Sequence, residues 1–395
     1  MKRLEYLPLR FYEPLEGASL DVAIQSGIRQ TRSCLPDFSH AFKYSHSVDG
    51  FYAPPSENVE WTTGFWTGEL WLAYELSADP VFLDAAQWQV GSFLDRIERR
   101  VDVEHHDMGF LYSPSCVASY KLTGNPAGRK AALLAADNLI SRFQEKGQFL
   151  QAWGPLGARD NYRLIIDCLL NLPLLYWATG ETGDERYGRI ATKHLRTAVK
   201  YILRPDDSTY HTYFFDPETG APVRGVTAQG YRDGSAWARG QAWGVYGAAL
   251  AYRYLKDDES MDVYTRVLDF FLSHLPSDCI PYWDFDFTDP SDEPRDSSAL
   301  AIAACGMLEM ARVMPGTAEA EVYRDYAARL CRALWAHCAV REPSISNGQL
   351  LHGTYARKSP YNTCNDRGAD ECNTWGDYYY MEALARLKLD WNPYW

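Results

Sequence analysis

Four things are missing from this sequence. It has no Cys-x-x-Cys pair, no Gly-x-Ser-x-Gly, no glycine loop shaped to cradle a phosphate or dinucleotide, and no apolar run approaching a membrane span. The first absence, with nine scattered cysteines, several of them in apolar helical stretches, predicts reduced thiols in a cytoplasmic protein. The second removes the serine-hydrolase nucleophile elbow, and the third removes the common nucleotide-binding classes. The fourth excludes an integral helical membrane protein, and the opening Met1–Arg10 has no uninterrupted apolar segment of leader length. Basic excess is also lacking. A net charge of −13 argues against nucleic acid and anionic membrane as partners, and leaves open a small anionic ligand held by local Arg or Lys.

What the chain does have is repetition. Five times an apolar stretch ends in a short polar turn and an amphipathic stretch follows. The turns are Ser77–Pro80, Thr123–Asn125, Thr179–Gly183, Lys256–Glu259 and Met314–Thr317. The stretches before them (63–76, 112–122, 163–178, 240–255 and 297–312) are apolar nearly all round, as buried helices are. Those after them carry an apolar stripe at steps of three and four, as in Phe82, Ala86, Val90, Phe93 and Ile97. A sixth inner stretch, 374–387, lacks an outer partner, and an amphipathic segment at 19–33 can supply it. Six inner and six outer helices make an all-α (α/α)6 toroid in one domain spanning 1–395. The rival, an open superhelix, would need polar end caps, and the buried character of the last helix favours closure.

Loop lengths then place the function. The inner-to-outer turns are short, whereas the outer-to-inner connections (101–111, 144–162, 203–239, 275–296 and 338–373) are long and emerge at one end. The segment Gln229–Trp243 on one of them holds two Trp, two Arg and two Gln. Aromatic faces suit a sugar ring and Arg suits a carboxylate, although such aromatics also plug cores.

Asp167, in an apolar surrounding at the open end of a buried stretch, should have a raised pKa, as a general acid requires; pairing with Arg163 is the structural alternative. Asp107, in His105-His106-Asp107-Met108-Gly109-Phe110, is the second carboxylate, or a simple turn residue. A metal site from His105, His106 and Asp107 lacks a completing ligand motif. On the same loops and helix starts lie Trp61, Trp66, Trp153, His211, Gln229, Trp237, Arg239, Trp243, His352 and Trp375.

His106–Phe110, Asp167 and Gln229–Trp243, in this order and spacing, resemble the unsaturated glucuronyl hydrolases of glycoside hydrolase family 88. The likeness runs from Trp61-Thr-Thr-Gly-Phe-Trp-Thr-Gly68 to Trp375-Gly-Asp-Tyr-Tyr-Tyr380. The resemblance implies the same toroid, no metal or organic cofactor, and oligosaccharide substrates left by polysaccharide lyases with a C4=C5 double bond in the terminal uronic acid. It implies that Asp167 protonates C4 and activates the water that adds at C5, so the hemiketal opens and the glycosidic bond breaks. It implies that Asp107 holds sugar hydroxyls and sets the charge state of Asp167. His106, Trp153, His211, Gln229, Trp237, Arg239 and Trp243 match the residues lining the first sugar subsite.

Family members that prefer sulfated fragments carry Ser-x-x-Ser-x-Lys after His-Gly-x-Tyr. Here His352-Gly-Thr-Tyr355 is followed by Ala356-Arg-Lys-Ser359-Pro-Tyr361, so Ser359 alone matches, with Arg357 and Lys358 as other sources of charge. The expected ligands are unsaturated uronyl disaccharides of chondroitin, hyaluronan or heparin type. The alternatives are an unsaturated rhamnogalacturonyl hydrolase, a toroidal sugar epimerase relying on His211 or His352, and a non-catalytic oligosaccharide-binding protein.

Overall fold

A computed structural model describes residues 7–395; the first six residues, part of the opening segment read above for a leader, lie outside the described residues. The helices are α1 (Gly17–Phe38), α2 (Thr63–Ser77), α3 (Pro80–Glu98), α4 (Met108–Tyr112), α5 (Ala118–Thr123), α6 (Pro126–Ile140), α7 (Leu172–Thr182), α8 (Glu185–Ile202), α9 (Ala238–Leu255), α10 (Asp258–Ser273), α11 (Ser297–Val313), α12 (Ala318–His337) and α13 (Thr374–Lys388). A π-helical turn, Ser113–Val117, joins α4 and α5 into one inner helix.

The five short turns share a local cause. Four inner helices end on a left-handed residue, Ala78, Gly124, Gly183 or Lys256, which halts the spiral. Within a few residues a side-chain oxygen caps the next helix: Asp79, Asn125, Asp184, Asp257 and Thr317 each accept an amide hydrogen of the first turn. Each such cap is worth about 1 kcal/mol. The hairpins are therefore encoded locally, before any packing.

Packing closes them into a ring. α2, the α4–α5 helix, α7 with the 3-10 turn Ile166–Leu170 before it, α9, α11 and α13 contact one another in that order, and α13 returns to α2. Outside them α3, α6, α8, α10, α12 and α1 cover the inner helices, with α1 against both α13 and α2. The ring is the expected (α/α)6 toroid, closed by the two ends of the chain. Its inner helices approach closely: a Cβ on Gly306 of α11 would lie 2.9 Å from Tyr246 Cα on α9. Aromatics fill the axis, including Phe65, Phe110, Trp243, Tyr246, Tyr379 and Trp395, all 0–1% exposed.

Two expectations need correction. The stretch 163–178 is not one helix: Arg163–Ile165 is strand β3, and Ile166–Leu170 is a 3-10 turn ahead of α7. Its β-branched Ile165 suits an extended ladder, and one is available opposite Thr212. The long loops also carry structure, as hairpin β1–β2 (Phe143–Gln144, Phe149–Leu150), antiparallel sheet β3–β4–β5 (β4 Thr212–Phe215, β5 Pro222–Val226) and hairpin β6–β7 (Gly353–Ala356, Arg367–Glu371).

Candidate active site

Asp107 immediately precedes α4, and Asp167 sits in the 3-10 turn before α7. The two segments are clamped together. Asn171 Oδ1 accepts the Phe110 amide at 2.8 Å, and Gly109 is required because a Cβ there would stand 2.3 Å from Asn171 Cα. His106 lies between the carboxylates, its Nε2 3.3 Å from Asp107 Oδ1 and 3.4 Å from Asp167 Oδ1. These approaches are not aligned as hydrogen bonds, so the imidazole and both facing oxygens are buried without a partner in the protein. Such groups wait for something to bind.

The environment splits the charge states. Burial pushes Asp167 well above the usual carboxylate range, the negative Asp107 pushes it further, and Arg239 opposes both. Burial pushes Asp107 up as well, but His106, His105 and Arg142 outweigh it and hold that carboxyl low. Burial lowers His106 to about 4, against the pull of Asp107. The two shifts run in opposite directions, as they do where one carboxyl serves as an acid beside an anion. Arg163 makes no ion pair with Asp167; its NH1 donates to the Asp160 carbonyl at 3.3 Å.

The surrounding predicted residues fall into two groups. Trp153 stacks on His105 at 4.3 Å, holding the imidazole whose Nδ1 is 3.2 Å from Asp107 Oδ2. His211 precedes β4, with its ring 4.9 Å from Trp237, and burial together with Arg239 lowers it to about 3. Gln229 Oε1 accepts from Arg239 at 2.7 Å. Behind them Trp61 stacks on Trp375 at 5.0 Å and donates to the Tyr355 hydroxyl at 3.0 Å, which makes an aromatic wall.

Four expected contacts read differently in three dimensions. Trp66 points away: it is fully buried, donates to the Phe38 carbonyl at 2.9 Å and lies under Lys43 at 4.2 Å. Trp243 is floor rather than wall, 1% exposed and packed on Phe110 and Tyr379. Arg239 offers no free fork. It donates to Asp296 at 3.1 Å, to Gln229, and to the Thr354 and Tyr355 carbonyls, and it sits 4.4 Å from the Trp237 ring. Ser359 spends its hydroxyl inside its own loop, donating to the Tyr231 carbonyl and accepting from the Tyr361 and Asn362 amides. A fifth, His352, stands off the cluster, half-exposed and bonded to Asp370 at 2.7 Å, which raises its pKa.

Three groups escaped the sequence reading. Asp296, the N-cap of α11, anchors Arg239. Buried Asp284 accepts from the Tyr231 amide and the Ser235 hydroxyl, fixing the loop that delivers Trp237, and burial raises it to about 6. Arg142 lies near Asp107 with its Nε on the Gln151 carbonyl. An Asp before Ser-Ser was a capping signal for the first; the others carried none. One donor atom each from His106, Asp107 and Asp167 lie within 4.8 Å of one another, a set that divalent cations accept.

Comparison with known proteins agrees with this geometry. The model of Glycosyl Hydrolase Family 88 matches residues 37–387. The unsaturated chondroitin disaccharide hydrolase of Streptococcus pneumoniae is 49% identical over 98% of this chain and 97% of its own. A crystal structure of unsaturated glucuronyl hydrolase from Streptococcus agalactiae superposes with a TM-score of 0.94 at 43% identity, covering 99% of this chain and 97% of the other. A structure of unsaturated glucuronyl hydrolase specific for heparin is more distant, with a TM-score of 0.82 at 29% identity over 93% of this chain and 96% of the other. The clamped carboxylate pair, the toroid around it and these matches place the chain in one family: it belongs to glycoside hydrolase family 88.

Proposed function

We propose that this enzyme releases the unsaturated 4,5-dehydro uronic acid from the non-reducing end of lyase-generated glycosaminoglycan disaccharides and oligosaccharides. The observation that carries the reading is the buried pair itself: Asp167, whose pKa burial and Asp107 push well up, close to Asp107, whose pKa is held low, with His106 between them. Asp167 keeps 19% of its side chain exposed, so it can be reached by a substrate.

The chemistry follows from the proton of Asp167. Asp167 transfers it to C4, which leaves positive charge at C5 shared with the ring oxygen. The Asp167 carboxylate then accepts a proton from the water that adds its oxygen at C5. The hemiketal opens, C1 is left as a hemiacetal, and its collapse frees the second sugar. Asp107 bonds the ring hydroxyls and, by its charge, keeps Asp167 protonated until the uronate binds. Trp153, His211, Gln229 and Trp237 line the ring. Arg239 acts behind them by holding Gln229 and Trp237 in place, and Trp243 supports the floor.

The family match and the nature of the relatives support glycosaminoglycan rather than pectin fragments. An epimerase reading is poorly served by His211, which is too weak a base at about 3. The nine unpaired cysteines support a reducing, cytoplasmic setting, and no described helix is long and apolar enough to cross a membrane. The whole of 1–395 is proposed to work as one domain. The test is loss of ultraviolet absorbance from unsaturated chondroitin, hyaluronan and heparin disaccharides, since hydration removes the conjugated double bond. Absence of decay with all of them rejects the proposal.

A further inference from the structure

The segment that follows α13 does not leave the ring. It turns back into the end opposite the site, where α2, α5 and α9 finish, and those helices hold it. Trp391 Nε1, at 2.9 Å, and the Tyr394 hydroxyl both donate to Glu75 of α2. Lys121 of α5 donates to the Pro393 carbonyl at 2.6 Å, and Arg253 of α9 donates to the main-chain oxygen of Trp395 at 2.9 Å. Trp395 Nε1 in turn donates to Glu382 of α13 at 2.7 Å. Together these bonds hold the Trp395 indole in the axis of the ring, where it is fully buried.

From there the indole reaches the layer that carries one of the two carboxylates. It stacks on Tyr379 at 5.9 Å and meets Phe110 edge-on at 6.4 Å. Phe110 lies 5.3 Å from Trp243, the floor of the site, and 5.6 Å from Trp61 of the aromatic wall. The Leu111 amide donates to the Asp107 carbonyl at 3.1 Å, so Asp107 and Phe110 belong to one turn.

That turn needs support. α4 is five residues long and runs straight into the π-helical turn Ser113–Val117, so few backbone bonds of its own fix it. The buried Asp107 Oδ1 has no hydrogen-bond partner in the protein, and the bond from the Phe110 amide to Asn171 pins one point only. The height of α4 along the axis is left to what Phe110 rests on.

We propose that Trp395 is a positioning residue for the reaction: its indole, inserted from the far end of the ring, sets the height of Phe110 and so the placement of Asp107 against Asp167. The proposal rests on the hydrolase reading above. Trp395 touches no reacting atom and acts through Phe110. Loss of the indole opens space into which Phe110 sinks, and α4 follows it away from Asp167. Asp167 is faced by Asp107, His106 and Arg239, none of them on the segment of Trp395, so withdrawal of the negative Asp107 lets its proton leave at lower pH.

The test compares wild type, W395L, W395F and W391F on an unsaturated chondroitin disaccharide, at a temperature where circular dichroism shows each to be folded. In W395L kcat should fall about tenfold with KM within about twofold, as for a displacement of a fraction of an ångström at the reacting groups. The alkaline limb of its kcat/KM profile should move to lower pH. W395F, which refills the layer with a ring, should recover most of both. Trp391 belongs to the same segment but packs on Tyr394 at 4.8 Å, so W391F should keep the wild-type kcat and limb even if its melting temperature drops. A folded W395L with kcat within about twofold of wild type and an unmoved limb overturns the proposal, as does an equal loss of kcat in W391F. If W395L does not fold, W395M is judged by the same two readings. Absence of turnover by the wild type would instead reject the hydrolase reading. Crystal structures of wild type and W395L would still decide the positioning, since Phe110 in the same place in both overturns it.

Discussion

Asp107 and Asp167 face the same imidazole nitrogen, 3.3 and 3.4 Å from His106 Nε2, yet their surroundings drive their protons in opposite directions. Two carboxylates that close cannot both ionise at little cost, and the one with fewer polar partners keeps the proton. Each catalytic prediction below derives from that asymmetry.

Replacing Asp167 by Asn removes the transferable proton while keeping the shape. The variant should lose about 10³-fold in kcat, within the usual range for a general acid, with its circular dichroism unchanged. Absorbance decay on unsaturated disaccharides measures this, and wild-type decay in the variant would remove Asp167 as the donor.

Activity should fall as pH rises through the raised pKa of Asp167, because only its protonated form acts. Asp107 raises that pKa, so D107N should move the alkaline limb of the kcat/KM profile to lower pH, on top of a lower maximum. An unmoved limb would show that Asp107 does not govern the proton.

The same shift has a sign for stability. A carboxyl whose folded pKa is raised costs stability once pH exceeds its unfolded value, and costs nothing below that. D167N should therefore melt roughly 2 °C above wild type at neutral pH, with the difference vanishing below about pH 4. Thermal melts across pH check both halves of the statement.

At the other end of the ring, Arg386 binds Glu309 at 2.8 Å and Glu382 at 2.9 Å, all three buried, and donates to the Tyr246 hydroxyl at 2.7 Å. R386M leaves Glu382 without its cation and should cost about 3–5 kcal/mol in denaturant unfolding. Burial opposes ionisation of Glu309, but Arg386 and Arg312 lower it to about 2. Wild type should accordingly lose stability as pH falls from the ordinary glutamate value toward 2, and R386M should lose less over that window.

Prolonged EDTA treatment should leave the rate unchanged, since the proton on Asp167 needs no cation. Loss of activity restored by a divalent metal would instead make His106, Asp107 and Asp167 ligands.

Much of this protein was legible along the chain because its signals are local. Turns such as Ala78-Asp79-Pro80 stop one helix and cap the next within three residues. Counting them reaches the toroid, and the order of His106–Phe110, Asp167 and Gln229–Trp243 reaches the family. Trp66 and Trp243 are less legible for the opposite reason: an indole at an inner helix start looks alike whether it faces the opening or the axis. Only the packed ring tells which.

Along the chain alone one reads the set of hairpins, the end of the ring that carries the long loops, and the presence of Asp167 at that end. Those depend on caps, periodicity and spacing over a few residues. Three-dimensional packing is what sets Arg239 against Gln229 and Trp237, and what pushes the pKa of Asp167 up while holding that of Asp107 down. Each depends on which groups from distant segments end up within a few ångströms, where burial and unscreened charge outweigh anything a residue's neighbours in the chain can specify.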